Sequence, residues 1–219
     1  MKKVGSLQEW TGKGVKSLRE KRIRCAEAWY KSAKIGKWKQ LYFKWLQHRY
    51  KFDEWHITPI NFRPYAIDIV QYVNKQPKNR VVEIGCGLGE IIGNIRGRGI
   101  EREGLDLSAD VVHAAKVIYR NVYFRVGTFG DVKGQKIDYL ITVNFIHGIS
   151  PEELRKQYKY LCENNEIEHI VLDIVKSPEY RFNHDIDYLF EGLEYKVKKR
   201  LRRQQAKNGN RWVYILEKI

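Results

Sequence analysis

The chain holds 219 residues, with 41 Lys and Arg against 26 Asp and Glu, and three cysteines. That length suits one α/β domain with an appendage, while Cys25, Cys86 and Cys162 lack metal spacing and exclude a disulfide framework. Met1-Lys2-Lys3 is followed by no apolar run long enough for a signal peptide or a membrane span, so a cytoplasmic protein is expected.

Charge is segregated. Residues 1–52 hold 15 Lys and Arg against 3 Asp and Glu, so nearly all of the net +15 lies there. The same stretch carries Trp10, Trp29, Tyr30, Trp38, Tyr42, Phe43, Trp45, Tyr50 and Phe52. Trp38, Leu41, Tyr42, Trp45 and Leu46 recur at helical spacing, which predicts an apolar stripe flanked by lysines. Such a helix can lie on an anionic membrane at its inner face, hold nucleic acid with cations on phosphates, or pack on its own domain.

Residues 53–65 follow, with Trp55, His56, Asn61, Arg63 and Tyr65 as side chains suited to polar ligands. Pro59 and Pro64 make this a shaped loop, ahead of a helix from about Ala66 to Asn74.

Val81-Val82-Glu83-Ile84 reads as a buried strand, and Gly85-Cys86-Gly87-Leu88-Gly89-Glu90 as a glycine loop opening a helix over about 88–96. Glycines there let the backbone approach a ligand at the carboxyl edge of a parallel sheet. The nicotinamide and flavin fingerprint G-x-G-x-x-G/A needs a small residue where Glu90 stands, and no phosphate loop is present. A pyrophosphate would face Glu83 and Glu90, whereas a ligand carrying an ammonium and a sulfonium suits them.

Arg102–Ser108 reads as a second strand ending in Asp106, which falls 19 residues after Gly87. A carboxylate at that separation reaches the ribose hydroxyls of a nucleotide held at the first loop. A helix around Ala109–Tyr119 leads to a third strand, Val122–Val126, and the turn Gly127-Thr128. Ile137–Val143 is a fourth strand, and Ser150-Pro151-Glu152-Glu153 starts the next helix with a capping hydroxyl and an early proline. His169–Val175 is a fifth strand, followed by a helix near Asp185–Glu191. Tyr195–Arg203 and Arg211–Lys218 flank Asn208-Gly209, a hairpin signal.

The pattern E-x-G-x-G-x-G with Asp106 downstream resembles motif I and the ribose-binding acid of the class I S-adenosylmethionine-dependent methyltransferases. The resemblance covers about residues 78–219. It implies an α/β fold: a seven-stranded, mostly parallel, doubly wound sheet closed by an antiparallel hairpin. It divides the chain into 1–65, a basic aromatic helical extension capping substrate and cofactor, and 66–219, a Rossmann-like domain.

It further implies S-adenosylmethionine as cofactor, with S-adenosylhomocysteine as product. Glu83, Gly85, Cys86, Gly87, Gly89, Asp106, Leu107, Thr128, Phe129 and Asn144 would hold it, with Arg63 and Tyr65 meeting its carboxylate. Where relatives carry an acid for the adenine amino group, this chain has Thr128.

Val143-Asn144-Phe145-Ile146-His147 resembles a segment of small-molecule methyltransferases that lines the transfer site, which makes His147 the candidate base. The alternative is an imidazole bonded to a loop carbonyl below the site. Trp55, His56 and His184 are candidate acceptor contacts, with a helix cap at Asn183 or Asp185 as the plainer reading of that region. Asp173 either faces the site or is a satisfied acid. No metal is expected, because no cluster has ligand spacing. Residues 53–65 look similar to methyltransferases acting on sugars of bacterial surface glycans. Transfer to a hydroxyl of a glycan or small molecule is therefore expected, with an RNA methyltransferase using the basic arm, or a non-catalytic binding protein, as alternatives. Asn144-Phe145-Ile146-His147 lacks the N/D-P-P-Y/F signature of amino-directed base methylation.

Overall fold

A computed structural model describes residues 37–57, 60, 63–201, 204–206 and 209–219. Expectations placed on residues 1–36, 58–59 and 61–62 lie outside the described residues. The chain divides into two compact units, 1–62 and 63–219.

In the first unit, helix α1 (Lys37–Tyr50) ends where Lys51 turns left-handed at φ 56° and donates its N–H to the Gln47 carbonyl at 2.7 Å. Of the stripe read from spacing, only Leu46 is buried; Trp38, Leu41, Tyr42 and Trp45 are exposed. A 3-10 turn, Glu54–Ile57, follows.

The second unit opens with α2 (Pro64–Asn74), whose proline in the first turn suits the preset φ of that residue. Its sheet comprises β1 (Arg80–Ile84), β2 (Glu101–Asp106), β3 (Tyr123–Val126), β4 (Lys136–Thr142), β5 (Glu166–Lys176), β6 (Tyr195–Arg200), β7 (Gln204–Ala206) and β8 (Gly209–Lys218). The order is β3-β2-β1-β4-β5-β8-β6, seven positions wide, with short β7 also paired to β8. Strands β1 to β5 run parallel, and β8 runs antiparallel to β5, β6 and β7. Of the outer strand read from sequence as Tyr195–Arg203, β6 covers Tyr195–Arg200; residues 202–203, and 207–208 of the turn, lie outside the described residues.

Apolar side chains of β1, β4 and β5 supply much of the core, with Val82, Leu140, Ile141, Ile170, Val171 and Leu172 at zero exposure. Burying each is worth roughly 1.5–3 kcal/mol. Helices start where the sequence caps them. Ser108 accepts from Val111 at the start of α3 (Ala109–Ile118), and Ser150 from Glu153 at α4 (Pro151–Asn164). Asp185, rather than Asn183, accepts from Asp187 and Tyr188 at α5 (Ile186–Phe190).

The helix expected over 88–96 is not formed. Turns lead from Leu88 into a 3-10 segment, Ile92–Asn94. Gly89 sits at φ +80°, outside helical space, and Gly93, Gly97 and Gly99 add three poor helix formers.

Among β1 to β5 the side on which successive strands are added reverses once. From β1 the sheet extends through β2 and β3 on one side and through β4 and β5 on the other. The crevice at the carboxyl ends of β1 and β4 is therefore the topological switch point, where ligands of such sheets bind.

Candidate functional site

The glycine loop stands at that switch point. Gly85, Gly87 and Gly89 all have positive φ (69°, 55° and 80°), a region costly for residues with a Cβ. At Gly85 a Cβ would also run into the Phe145 ring, and at Gly89 into the Phe124 ring. The loop is tied across the sheet: Cys86 N–H donates to the Leu105 carbonyl at 2.9 Å. The Cys86 thiol is buried, and burial first, then Glu83 and Asp106, pushes its pKa well up, so it stays protonated.

Asp106 closes β2 directly over this loop. One carboxylate oxygen accepts the Gly87 N–H at 2.9 Å, and the other the Ser108 N–H at 3.0 Å. The carboxylate is thereby aimed along the loop, with lone pairs left for further donors. Beside it Leu107 is 76% exposed, an apolar side chain held out at the sheet edge.

Glu83, at the end of β1, lies beneath the loop and accepts the Ile92 N–H at 2.9 Å. Burial, the largest cause, pushes its carboxyl up to about 8. Glu90 pairs with Arg63, from the residue preceding α2, at 2.9 Å. After β3, Phe129 is buried against Phe145 and Tyr158, at ring separations of 5.8 and 6.1 Å. Thr128 donates its N–H and hydroxyl to Asp131 at 2.8 and 3.2 Å. The acid absent from position 128 is thus present three residues on, capping its own turn.

A second group of residues gathers where β4, β5 and β8 meet. Asn144, just beyond β4, adopts a left-handed φ of 67°. Its N–H donates to Asp173 Oδ1 at 2.8 Å, and its Oδ1 accepts from Arg211 Nη2 at 2.8 Å. Arg211 Nη1 donates to Asp173 Oδ2 at 2.5 Å, and its guanidinium lies 4.1 Å from the Tyr65 ring centroid. Asp173 is fully buried and Arg211 is 7% exposed. Burial works to raise the Asp173 carboxyl, but Arg211, His147 and the Asn144 N–H overcome it and hold it below its ordinary value.

His147 lies in the 3-10 turn Ile146–Gly148 and is 3% exposed. Its Nε2 stands 3.4 Å from Asp173 Oδ2, but neither ring nitrogen makes an aligned hydrogen bond with a described residue. Its ring lies 4.7 Å from that of Tyr180 and 6.4 Å from that of His184. The histidine that bonds a loop carbonyl is His184, whose Nε2 donates to the Ile146 carbonyl at 3.0 Å. His184 thus supports the turn that carries His147, and burial first lowers its pKa, favouring the neutral ring.

The structure brings together Glu83, the three glycines, Asp106, Thr128, Asn144, Tyr65, His147 and Asp173 along the carboxyl side of one sheet. Trp55 and His56 belong to the first unit; His56 is buried beside Phe52, with ring centroids 6.2 Å apart. Arg211 and Tyr180 are members that sequence reasoning missed. Arg211 follows the hairpin turn, and only the pairing of Val175 with Arg211 across β5 and β8 carries it to Asp173.

The sequence matches no protein-family model and no curated protein. Solved structures are similar to it. Magnesium protoporphyrin IX methyltransferase from Synechocystis PCC 6803, with bound S-adenosylhomocysteine, has a TM-score of 0.63 at 13% identity, over 80% of this chain and 93% of that one. The same protein with bound S-adenosylmethionine gives 0.63 at 14% identity, over 80% and 90%. The methyltransferase domain of a bacterial Hen1 gives 0.58 at 14%, over 70% and 96%. This chain has the Rossmann-like fold of the class I S-adenosylmethionine-dependent methyltransferases.

Proposed function

We propose that this protein is an S-adenosylmethionine-dependent methyltransferase acting on a hydroxyl group of a sugar, glycan or small molecule. The observation that carries the reading is the Asp106 carboxylate fixed over a three-glycine loop at the switch point, with a buried imidazole in the turn beyond β4. The residues fit the cofactor. Asp106 presents acceptors for ribose hydroxyls, exposed Leu107 an apolar face for the adenine, and Glu83 an acid for an ammonium or sulfonium. Gly85, Cys86, Gly87 and Gly89 allow close approach; Thr128, the Phe129 backbone, Asn144, Arg63 and Tyr65 would complete the site. When bound, the cofactor supplies a methyl group on a sulfonium, which passes to the acceptor oxygen and leaves S-adenosylhomocysteine.

The chain's own part is placement and proton transfer. Holding two reactants in line is worth several powers of ten in rate. A hydroxyl is a weak nucleophile at neutral pH, and the His147 imidazole takes its proton as the new bond forms. His184 would act through the turn it supports. His147→Gln is expected to lower kcat by ~10²–10⁴-fold while S-adenosylhomocysteine affinity, read by calorimetry, changes less than about threefold. A drop in kcat below about tenfold would leave positioning alone to account for the rate.

The basic arm would bring the enzyme to lipid-linked acceptors at an anionic membrane. Support comes from the charge of residues 1–52 and from Trp38, Leu41, Tyr42 and Trp45 standing exposed on α1. No described helix is long and apolar enough to cross a membrane. Deleting residues 1–50 is expected to abolish binding to vesicles containing anionic lipid; unchanged binding removes this part of the reading.

The function is tested by transfer of labelled methyl from S-adenosylmethionine into a fractionated lysate of the source organism. Label that resists nuclease and protease and enters a lipid, glycan or small-molecule fraction is the expected result. Label lost on ribonuclease treatment would overturn it in favour of an RNA acceptor held by the basic arm.

A further inference from the structure

The Asp173 carboxylate is shared unequally. Its Oδ1 takes the Asn144 N–H, while Oδ2 takes an aligned bond from Arg211 at 2.5 Å and stands 3.4 Å from His147 Nε2 without such alignment. The same oxygen therefore faces two potential cations, and the guanidinium holds it. Arg211 is itself pinned: by Asn144 Oδ1 at 2.8 Å and by the Tyr65 ring, whose centroid lies 4.1 Å from its guanidinium carbon. A planar, permanently charged fork suits this three-way contact, and an ammonium would not reproduce it.

Consider the same pocket without that guanidinium. Asp173 would be a fully buried carboxylate with only one N–H donor, and His147 would be the nearest group able to supply a proton. Imidazolium paired with carboxylate would then be favoured over a neutral ring beside an uncompensated charge. An imidazolium has no lone pair with which to take a hydroxyl proton. The other groups around this point do not replace Arg211. Tyr180 and His184 follow β5, Tyr65 belongs to α2, and Tyr158 of α4 lies near Asp173; none carries a fixed positive charge.

We propose that Arg211 is a positioning residue that takes the larger share of the Asp173 carboxylate and so leaves the His147 ring open to an acceptor proton. The inference rests on the reading of His147 as the base, but it makes a claim about the free protein that can be tested without cofactor or acceptor. Arg211 touches neither reactant in this account. It acts through Asp173.

The experiment follows the His147 ring resonances of the full chain by NMR from pH 5 to 9, in wild type, Arg211→Met and the double variant Asp173→Asn/Arg211→Met. In Arg211→Met the His147 midpoint is expected to rise by ~1–3 pH units, because an unshared carboxylate now faces the ring. In the double variant, which buries no charge at this point, it is expected to stay within about half a unit of wild type, since the native pair is already neutral as a whole. An unchanged midpoint in Arg211→Met overturns the proposal. If Arg211→Met does not fold, the double variant decides: a fall of about one unit or more would mean that Asp173 controls His147 despite Arg211. Methyl transfer is assayed separately on the same proteins. Midpoints that move as stated, with no transfer to any acceptor, would sink the functional reading and leave the Arg211 proposal standing.

Discussion

Asp106→Ala is expected to weaken S-adenosylhomocysteine binding by ~10²-fold or more, measured by calorimetry at neutral pH. Two ribose hydroxyls would donate to this carboxylate, and hydrogen bonds to a charged group contribute about 1.5–3 kcal/mol each. The same substitution removes the acceptor of the Gly87 and Ser108 N–H groups, so the loop loses its tie to β2 as well as its charge. Asp106→Asn separates the two effects. It keeps a carbonyl oxygen for one N–H and loses the charge, so binding should fall by roughly tenfold with the loop still in place. Affinity within threefold of wild type in Asp106→Ala would show that no nucleotide ribose sits at the end of β2, and the cofactor assignment would fall with it.

How far such a site can be seen in a sequence depends on how local its causes are. Strands and caps were legible because their reasons lie within a few residues. Ser150 precedes Pro151 and Glu153, and the cap forms as that spacing requires. The loop and Asp106 were legible because the crossover from β1 to parallel β2 fixes their separation, even though no α-helix forms in it. The 88–96 helix failed for a reason also local but misweighed: Gly89 leaves helical space, and Gly93, Gly97 and Gly99 follow before a helix can pay for its nucleus.

Arg211 was illegible for a different reason. It reads as one more cation of a basic hairpin, and on β6 nearby the cations are solvent-facing, with Lys196 and Lys198 paired to Glu217 at 3.5 and 3.0 Å. What distinguishes Arg211 is β8 inserting between β5 and β6, which places it opposite Val175 and within reach of Asp173, 38 residues away in sequence. Asp173 was open between two readings, facing the site or satisfied. It is satisfied, and by a partner at the site's edge. The resemblance set His147 apart from His184 as the candidate base, but which of the two bonds a loop carbonyl was not legible; it is His184, on Ile146.

Glu83 gives the second large effect, and its sign can be worked out. Burial, opposed by the Ile92 N–H and aided by Glu90, pushes its carboxyl from 4.5 up to about 8. At pH 7 roughly nine in ten of these carboxyls carry a proton in the free protein. A ligand whose sulfonium charge does not titrate favours the ionised form, so binding releases a proton wherever the pH lies below 8 and above the bound-state value. S-adenosylmethionine affinity should therefore rise between pH 6 and 8, by up to about tenfold per pH unit, and level off above. Calorimetry in buffers of different ionisation heat counts the proton directly. Stability runs the other way. A raised folded-state value means that the folded chain binds more protons than the unfolded chain between about 4.5 and 8. The contribution is complete below that window and is lost as pH rises through it, by at most ~5 kcal/mol. Glu83→Gln keeps an acceptor for the Ile92 N–H and has nothing to ionise. It should melt higher than wild type at pH 8, bind S-adenosylmethionine more weakly there, and show no pH dependence between 6 and 8. A variant that melts higher yet keeps the wild-type pH profile of binding would confine Glu83 to holding the loop and take it out of the cofactor site.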